Sequence, residues 1–146
     1  MFITEILDDA QNGDVKAIIK KLDIQPGLVN VHDGDGRTPL HRAAESGNIE
    51  LLHLLMSRGA EINGENSSSH LPIHFAAFYG QTKTCEILLD YGSKIDHIGT
   101  DGCSPIHFAC AQGQLDTIEF LVSKGADLKI TDYHGRLPLH WAGEKI

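Results

Sequence analysis

The chain has 146 residues, enough for one domain, and 41% of them are hydrophobic, which argues against disorder. Its 20 acidic residues outnumber the 12 basic ones, and a formal net charge of -8 argues against binding to the phosphate backbone of nucleic acids. No apolar segment approaches the roughly 20 residues of a membrane-spanning helix, so we expect no membrane insertion.

Residues 1–32 are predicted to form a two-helix unit that caps the N-terminal end of the domain. Apolar residues recur there at helical spacing: Ile3, Ile6, Leu7 and Ala10, and after Gly13 also Ile18, Ile19 and Leu22. Polar residues between them, such as Asp8 and Asn12, would face water, as the outer side of an end cap requires.

The rest of the chain repeats itself every 33 residues. Four similar four-residue strings, each with proline second and histidine fourth, begin at Thr38, Leu71, Ser104 and Leu137. Two series of glycines keep the same step: Gly47, Gly80 and Gly113, and Gly59, Gly92 and Gly125. Four strings in one register indicate a repeated structural unit. We therefore predict full repeats at 33–65, 66–98 and 99–131, and a partial fourth repeat at 132–146.

The first of these units can be derived from its residues. Thr38 is a good N-cap and Pro39 suits the first helical position, where no amide donor is needed. Gly47 can end this helix in a left-handed conformation, and a second helix with an apolar face is predicted to run from Ile49 to Gly59. The polar, turn-rich residues 60–70 then predict a protruding hairpin loop, here called a finger.

The period and the Thr38-Pro39-Leu40-His41 string resemble those of the ankyrin repeat family, over nearly the whole chain. The resemblance implies an all-α repeat solenoid, in which stacked helix-turn-helix units carry protruding hairpin loops. The fingers and the first helices of such units line a concave face. The resemblance also implies a structural role for the four string histidines, each bonding within its own turn and to the neighbouring repeat: His41, His74, His107 and His140.

Two departures from the family pattern affect the helix starts and one finger. Leu71 and Leu137 stand where threonine is preferred, and each lost hydroxyl cap is expected to cost roughly 1 kcal/mol. Residues 67–69, all serine, replace the usual Asp-Gly tip of the second finger. That finger is therefore either looser than the others or shaped for a particular partner.

The fourth repeat ends without a second helix. The face of the third repeat around Ile118 and Val122 is therefore expected to be partly exposed. Two explanations stay open: the chain is a piece of a longer array that continues past Ile146, or it is a short protein whose open end docks on something.

The sequence offers little catalytic chemistry. It lacks closely spaced Cys or His pairs for zinc and a Gly-x-Ser-x-Gly nucleophile turn. The Gly-containing segment 33–37 has no Lys-Ser/Thr pair to hold phosphate and magnesium. Three cysteines, Cys85, Cys103 and Cys110, show no paired spacing, which favours a reducing compartment, the cytoplasm or the nucleus. We expect no enzymatic activity, no metal and no cofactor.

These patterns favour a non-catalytic protein–protein interaction module that binds a partner protein on its concave face, as a monomer. The predicted contact positions lie at the finger tips and on the outer halves of the first helices: Asp35, Arg37, Glu45, Ser46, Ser68, His70, Phe78, Tyr79, Asp101, Cys103, Gln112, Tyr133 and Arg136. The alternatives are a regulatory or targeting segment of a larger multidomain enzyme or channel, and a small standalone protein inhibitor.

Aromatic residues single out the second repeat. Phe78 and Tyr79 align with small or polar residues elsewhere and are predicted to anchor a partner, unless Phe78 packs against Phe75 or a neighbouring unit. Phe75, Phe108 and Trp141 share one register position and are expected to form a stacked ladder in the groove wall. Scattered acidic residues favour a partner with basic residues around its apolar contact.

One modification follows from the resemblance. Loop asparagines in the register of Asn63, with a leucine eight residues upstream, are targets of a hydroxylase in the ankyrin repeat family. Leu55 stands at that upstream position. We therefore predict Asn63 as a hydroxylation site.

Overall fold

A computed structural model describes residues 3–143, and the prediction for the chain end at 144–146 lies outside this range. Within residues 3–143 the regular structure is entirely helical, and a short 3₁₀ turn, Pro26–Asn30, follows the second helix. The α-helices are α1 (Ile3–Asn12), α2 (Val15–Ile24), α3 (Pro39–Ser46), α4 (Ile49–Ser57), α5 (Pro72–Phe78), α6 (Thr82–Asp90), α7 (Pro105–Ala111), α8 (Leu115–Ser123) and α9 (Pro138–Ala142). This confirms the predicted all-α repeat solenoid.

The helices form two rows. The first helices of the units, α1, α3, α5, α7 and α9, pack side by side, and the second helices lie behind them. Buried small residues allow this close approach, among them Ala43, Ala76 and Ala109. The first helices contact one another more extensively than the second helices do, so the stack curves toward the first-helix row. The concave face is the face that these first helices and the fingers share.

The first repeat shows why each helix begins and ends where it does. The Thr38 hydroxyl accepts the backbone N–H of His41, and Pro39 occupies the first turn. Gly47 ends α3 with a φ of 72°, in the left-handed region that favours glycine. Helix α4 ends at Ser57, and Gly59 follows two residues later with a φ of 91°.

The string histidines join successive repeats. In each unit the histidine Nδ1 accepts the backbone N–H of the residue that precedes the helix, as in the 2.9 Å bond from Leu71 to His74. In the first three repeats Nε2–H donates to a carbonyl of the next finger: His41 to His70 (2.9 Å), His74 to Cys103 (3.2 Å) and His107 to Arg136 (3.2 Å). This confirms the structural role of these three histidines.

The N-terminal cap packs its helices largely as predicted. The buried residues are Ile6, Leu7 and Ala10 from α1 and Ile18 and Leu22 from α2. The expectation that Ile3 joins this face is wrong, because its side chain is 45% exposed. Ile3 lies in the first turn of α1, at the outer edge of the stack.

Backbone hydrogen bonds tie the finger tips into a continuous row. The donors and acceptors are Ser67 N–H to the Asp35 carbonyl (2.9 Å), Thr100 N–H to Ser68 (3.0 Å) and Tyr133 N–H to Asp101 (3.0 Å). Close approach and a φ of 78° together require glycine at Gly36, where a Cβ would lie 2.6 Å from the Ser67 nitrogen.

The all-serine finger keeps the turn of its neighbours. Asn66 Oδ1 accepts the backbone N–H groups of both Ser68 and His70 at 2.9 Å. Ser69 adopts a φ of 59°, in the region where Gly36 and Gly102 stand in the adjacent fingers. Since this finger is also bonded on both sides, the structure argues against the looser of the two alternatives.

The last second helix, α8, is incompletely covered. Its buried residues are Thr117 and Leu121. Leu115 and Val122 are 54% and 43% exposed, and Ile118 is half-buried. The predicted partial exposure of the third repeat is confirmed.

Candidate functional site: an aromatic groove on the concave face

A groove of about 300 Å³ crosses the middle of the concave face. Its lining, which defines the aromatic groove, is His70, His74, Phe75, Phe78, Tyr79 and Phe108. Finger 2 supplies His70, α5 and its C-terminal end supply the next four residues, and α7 supplies Phe108. This volume is at the lower end of the range for ligand sites, so the groove suits one bulky side chain or a similarly small group.

Helical spacing places the groove's aromatic rings together. Phe75 and Phe78 are three residues apart on α5 and therefore project from the same face. The Phe78 ring centroid lies 4.9 Å from that of Tyr79 and 6.1 Å from that of Phe108. Phe78 is half-buried and Tyr79 is 47% exposed, so Phe78 packs on the neighbouring repeat while it also lines the groove.

The predicted ladder of Phe75, Phe108 and Trp141 is wrong. In the described part of the chain these rings do not stack on one another. Each packs edge-on against a string histidine of the preceding repeat: Phe75 on His41 (5.3 Å), Phe108 on His74 (5.6 Å) and Trp141 on His107 (6.3 Å). Neighbouring helices lie about 8–10 Å apart, whereas aromatic pairs need about 4.5–7 Å, and the intervening imidazole fills the gap.

His70 is less exposed than its place on a finger predicted. Its side chain is 14% exposed, its ring packs edge-on against Phe108 at 4.8 Å, and its Nε2 lies 3.2 Å from the Asp101 carboxylate. A Cβ at Gly99 would lie 2.4 Å from the imidazole, so glycine there makes room for His70. The imidazole packs its flat body inward and keeps a polar edge at the surface, which makes His70 part of the groove wall.

His97, on the third finger, is similarly held. Its Nε2 lies 3.1 Å from the Ser69 carbonyl and 2.8 Å from the Glu65 carboxylate, and its side chain is 22% exposed. His97 therefore ties the third finger to the strained turn of the second.

The prediction that Cys103 contacts a partner is wrong. Its side chain is fully buried, although the same register holds Arg37, His70 and Arg136 in the other fingers. The small thiol fits between adjacent fingers, and burial together with the negative charge of Asp101 raises the pKa of Cys103 to about 12. Cys103 is thus a packed core thiol.

Two carboxylates lie beside residues that line the aromatic groove. Near the C-terminal end of α5, Glu45 faces the Tyr79 hydroxyl, and burial and this negative charge raise the pKa of Tyr79. At the finger end, Asp101 lies beside His70. The nearby cation of Arg37 is already paired with Asp33 at 3.2 Å and Asp35 at 3.5 Å.

The remaining predicted contact positions are spread over the rest of the face. Exposed side chains among them are Asp35, Ser46, Gln112, Tyr133 and Arg136. Tyr133 and Arg136 belong to the fourth finger, where the Arg136 guanidinium lies 4.7 Å from the Trp141 ring. Ser68 is half-buried, and its carbonyl is used by the next finger. The structure thus brings together only part of the predicted set, and it adds Phe75, His74 and Phe108.

Asn63 lies in the loop after α4 and is half-buried. Its Nδ2 donates to the Gly92 carbonyl at 3.3 Å, and its Oδ1 accepts the Lys94 N–H at 3.1 Å. Asn30 makes the same pair of bonds one repeat earlier, to Gly59 and Glu61. The side chain therefore connects adjacent loops.

Two further findings bear on chemistry. Over residues 3–143, no three His, Cys, Asp or Glu side chains are grouped as metal ligands would be. Likewise, none of the helices in this range is long and apolar enough to cross a membrane.

Known proteins resemble this chain over parts of its length. It is 43% identical over 61 residues to the transient receptor potential cation channel subfamily A member 1 homolog of Caenorhabditis elegans. It is 39% identical over 61 residues to the serine/threonine-protein kinase VIK of Arabidopsis thaliana, and 33% identical over 63 residues to the ankyrin repeat and SAM domain-containing protein 6 of Rattus norvegicus. The matches cover 42%, 42% and 43% of this chain, but only 5%, 14% and 7% of the relatives.

A family model described as ankyrin repeats (3 copies) matches residues 7–99 and again residues 96–145. These two matches span most of the chain and contain all four histidine strings. With the repeated helix pairs and the histidine bonds between repeats, they show that the chain belongs to the ankyrin repeat family.

Proposed function

We propose that the chain is a non-catalytic protein-interaction module that binds a partner protein through the aromatic groove of its concave face. Ankyrin repeats are generally protein-interaction modules. The observation that carries the proposal is the groove itself, an apolar depression with the half-exposed ring of Tyr79 at its rim. Aromatic residues in such central depressions dominate the binding energy of many interfaces.

The test is a double replacement, Phe78→Ala with Tyr79→Ala. We expect binding to a partner isolated by affinity purification and mass spectrometry to weaken at least about 30-fold, since anchors of this kind contribute about 2 kcal/mol or more. Titration calorimetry with the purified partner measures the change. Neither ring is completely buried, so circular dichroism should show a folded variant.

The matched control is Tyr91→Ala. Tyr91 is an aromatic residue of similar exposure, 40%, that follows α6 and lies outside the groove, bonded to His53. This variant should bind as the wild type does. Unchanged affinity in the double variant, or an equal loss in the control, would exclude the groove as the contact surface.

A second candidate is a regulatory or targeting segment of a larger enzyme or channel. It is supported by the relatives, since the matched segments are small parts of proteins named as a cation channel and a protein kinase. Sequencing of full-length transcripts tests it: an open reading frame that continues past Ile146 into another domain supports this candidate, and a stop codon there excludes it.

We further propose that the chain is a monomer in the cytoplasm or the nucleus. The compartment is supported by three cysteines that are all buried and free of disulfides. Analytical ultracentrifugation tests the oligomeric state, and imaging of a fluorescent fusion tests the location. A concentration-dependent rise in mass, or a secreted fusion, would contradict these two proposals.

The structure adds a condition to the proposed hydroxylation of Asn63. Because both amide atoms of Asn63 bond to neighbouring backbone, the loop has to open before an enzyme can reach the side chain. We expect partial hydroxylation, detected as one added oxygen on the Asn63 peptide by mass spectrometry. Absence of that mass from cells that modify other ankyrin repeats would refute the prediction.

A further inference from the structure

The fourth repeat shows how this fold holds an arginine. The Arg136 guanidinium lies over the Trp141 ring, 4.7 Å from its centre. Asp132 fixes it there, because one carboxylate oxygen accepts both the Arg136 Nε–H (2.9 Å) and the Trp141 Nε1–H (3.0 Å). The face of an aromatic ring attracts a guanidinium, and a neighbouring carboxylate supplies the opposite charge. A ring and a carboxylate thus form an arginine site within one repeat.

The third repeat has the ring of this site without the arginine. Phe108 stands at the register of Trp141, one repeat earlier. Its finger carries Cys103 and Gly99 where the fourth finger carries the arginine and the aspartate. Cys103 is buried, and the Phe108 ring lines the aromatic groove. An arginine at this ring therefore has to come from another molecule.

A carboxylate lies beside this ring. Asp101 stands at the register of Asp35, whose carboxylate lies 3.5 Å from the guanidinium of Arg37 in the first finger. The Asp101 carboxylate lies 3.2 Å from His70 Nε2, and the His70 ring centre lies 4.8 Å from that of Phe108. Only one imidazole therefore separates the carboxylate from the ring, and that imidazole belongs to the groove wall.

Asp101 can accept a further donor. Its Oδ1 accepts the Cys103 N–H at 2.9 Å, but its side chain is 43% exposed, and a carboxylate offers about four lone-pair sites. Burial alone would raise the pKa of Asp101, whereas hydrogen bonds from Cys103 and His70 lower it, so the group is charged at neutral pH. The carboxylate is thus available to a cation that approaches from the groove.

We propose that the aromatic groove binds an arginine side chain of the partner protein, with its guanidinium on the Phe108 ring and paired with Asp101. The aliphatic part of the arginine packs in the groove against Phe78 and Tyr79. The partner supplies the cation that Arg136 supplies in the fourth repeat. This inference rests on the proposed function and specifies its ligand.

Three other occupants fit less well. An apolar side chain would fill the groove but gain nothing from Asp101. Lysine carries the charge but lacks the planar group that stacks on a ring while it donates to a carboxylate. An acidic or phosphorylated residue would be repelled by Asp101, since like charges oppose association. The side chain that enters the groove therefore distinguishes these alternatives.

Peptide selection tests the proposal. Random peptides are displayed and selected on the immobilised full chain. The same selection uses three variants: Asp101→Asn, the double variant Phe78→Ala with Tyr79→Ala, and the control Glu119→Gln, which removes an exposed carboxylate on α8. Thermal melts confirm that each is folded; asparagine at 101 keeps an oxygen for the Cys103 N–H.

The wild type and the Glu119→Gln control should enrich arginine at one fixed position of the peptides. Asp101→Asn should weaken this preference, and the aromatic double variant should lose it. Enrichment of an apolar or acidic residue instead, of lysine as often as arginine, or of arginine equally on Asp101→Asn overturns this inference and leaves the proposed function standing. No enrichment, or equal enrichment on the aromatic variant, overturns both.

An enriched peptide then measures the pairing. Citrulline in place of its arginine keeps the planar shape and removes the charge. This replacement should weaken binding to the wild type by about three- to thirtyfold, the combined range of an exposed ion pair and a cation–π contact. It should cost less with Asp101→Asn, by up to about fivefold, because only the ring contact remains. High salt should reduce this difference. An equal cost in both proteins at low salt would exclude the pairing with Asp101.

Discussion

The buried imidazoles of His41 and His74 can exist in only one form in the folded protein. Each accepts a backbone N–H at Nδ1 and donates from Nε2 to a carbonyl of the next finger, so both nitrogens are occupied in the neutral state. A second proton would remove the Nδ1 acceptor and bury a charge. Burial accordingly lowers the pKa of His41 to about 4 and that of His74 to about 3.

This predicts that the protein loses stability in mild acid. Because the unfolded state takes up protons near the ordinary histidine pKa of 6.5 and the folded state does not, the free energy of unfolding falls as the pH drops below about 6.5. The loss should reach about 2 kcal/mol for each of the two histidines at about pH 5. Urea denaturation followed by circular dichroism at a series of pH values measures it.

The carboxylates of Asp33 and Asp132 affect stability in a lower pH range than the two histidines do. Burial alone would raise the pKa of Asp33 and Asp132, but hydrogen bonds from Arg37, and from Arg136 and His134, lower both to about 2. Their stabilisation is present above the unfolded pKa of 3.8 and is lost only as the pH falls from there toward 2. A free energy of unfolding that stays level from neutral pH to pH 5 would contradict the histidine prediction.

For single residues, the sequence predicted structural roles better than it predicted the solvent exposure of side chains. The histidine bonds follow from the repeated string, whereas Cys103 and His70 were assigned to the surface because finger residues usually lie there. Whether such a side chain is covered depends on the neighbouring finger, here through Gly99, and that contact has no local signal.

Helix starts differ between repeats in one respect. Thr38 and Ser104 place a hydroxyl against the string histidine, at 2.9 and 3.0 Å from its Nδ1. Leu71 and Leu137 supply only the backbone N–H to the histidine Nδ1, and the cost of the missing hydroxyl stays a prediction. Leu71, however, is completely buried, and Leu137 is only half-buried. The same departure from the family pattern thus has two different consequences.

Replacing each leucine by threonine should distinguish these two consequences. Leu71→Thr gains a cap of about 1 kcal/mol but loses about 1.5–3 kcal/mol of apolar burial, so it should destabilise the protein. Leu137→Thr loses less burial and should leave stability unchanged or raise it by up to about 1 kcal/mol. Urea denaturation of both variants measures the change in the free energy of unfolding. An increase in stability for Leu71→Thr would show that the cap outweighs packing there.

Over the whole molecule, stability should fall toward the end of the stack. Helix α4 buries Leu51, Leu52 and Leu55, whereas α8 buries only Thr117 and Leu121. In a stack where each unit contacts only its neighbours, local opening follows such differences. Hydrogen exchange measured by mass spectrometry should therefore show faster exchange in α8 than in α4 and α6. Equal protection across the four repeats would contradict this gradient.

The fold could be predicted almost completely from the sequence, because a 33-residue repeat encodes the same local unit each time. The groove could be predicted only in part. Phe78 and Tyr79 stand out along one repeat, but Phe108 joins them from the next, and its exposure depends on how α5 and α7 pack. Phe75, Phe108 and Trp141 share a register position, which suggested a ladder of stacked rings. Neighbouring helices are too far apart for such stacking, and a histidine imidazole lies between successive rings.

The stacking of repeats in a single row also determines how the molecule would respond to mechanical tension. Repeats in a stack are linked in series, so a pulling force applied at the two termini is carried in full by every interface, and the weakest one gives way first. Because α8 and α9 bury few apolar side chains, we expect this part of the stack to give way before the pair α5 and α7 that forms the groove. A ligand held there would stay bound while the far end of the chain unravels under load.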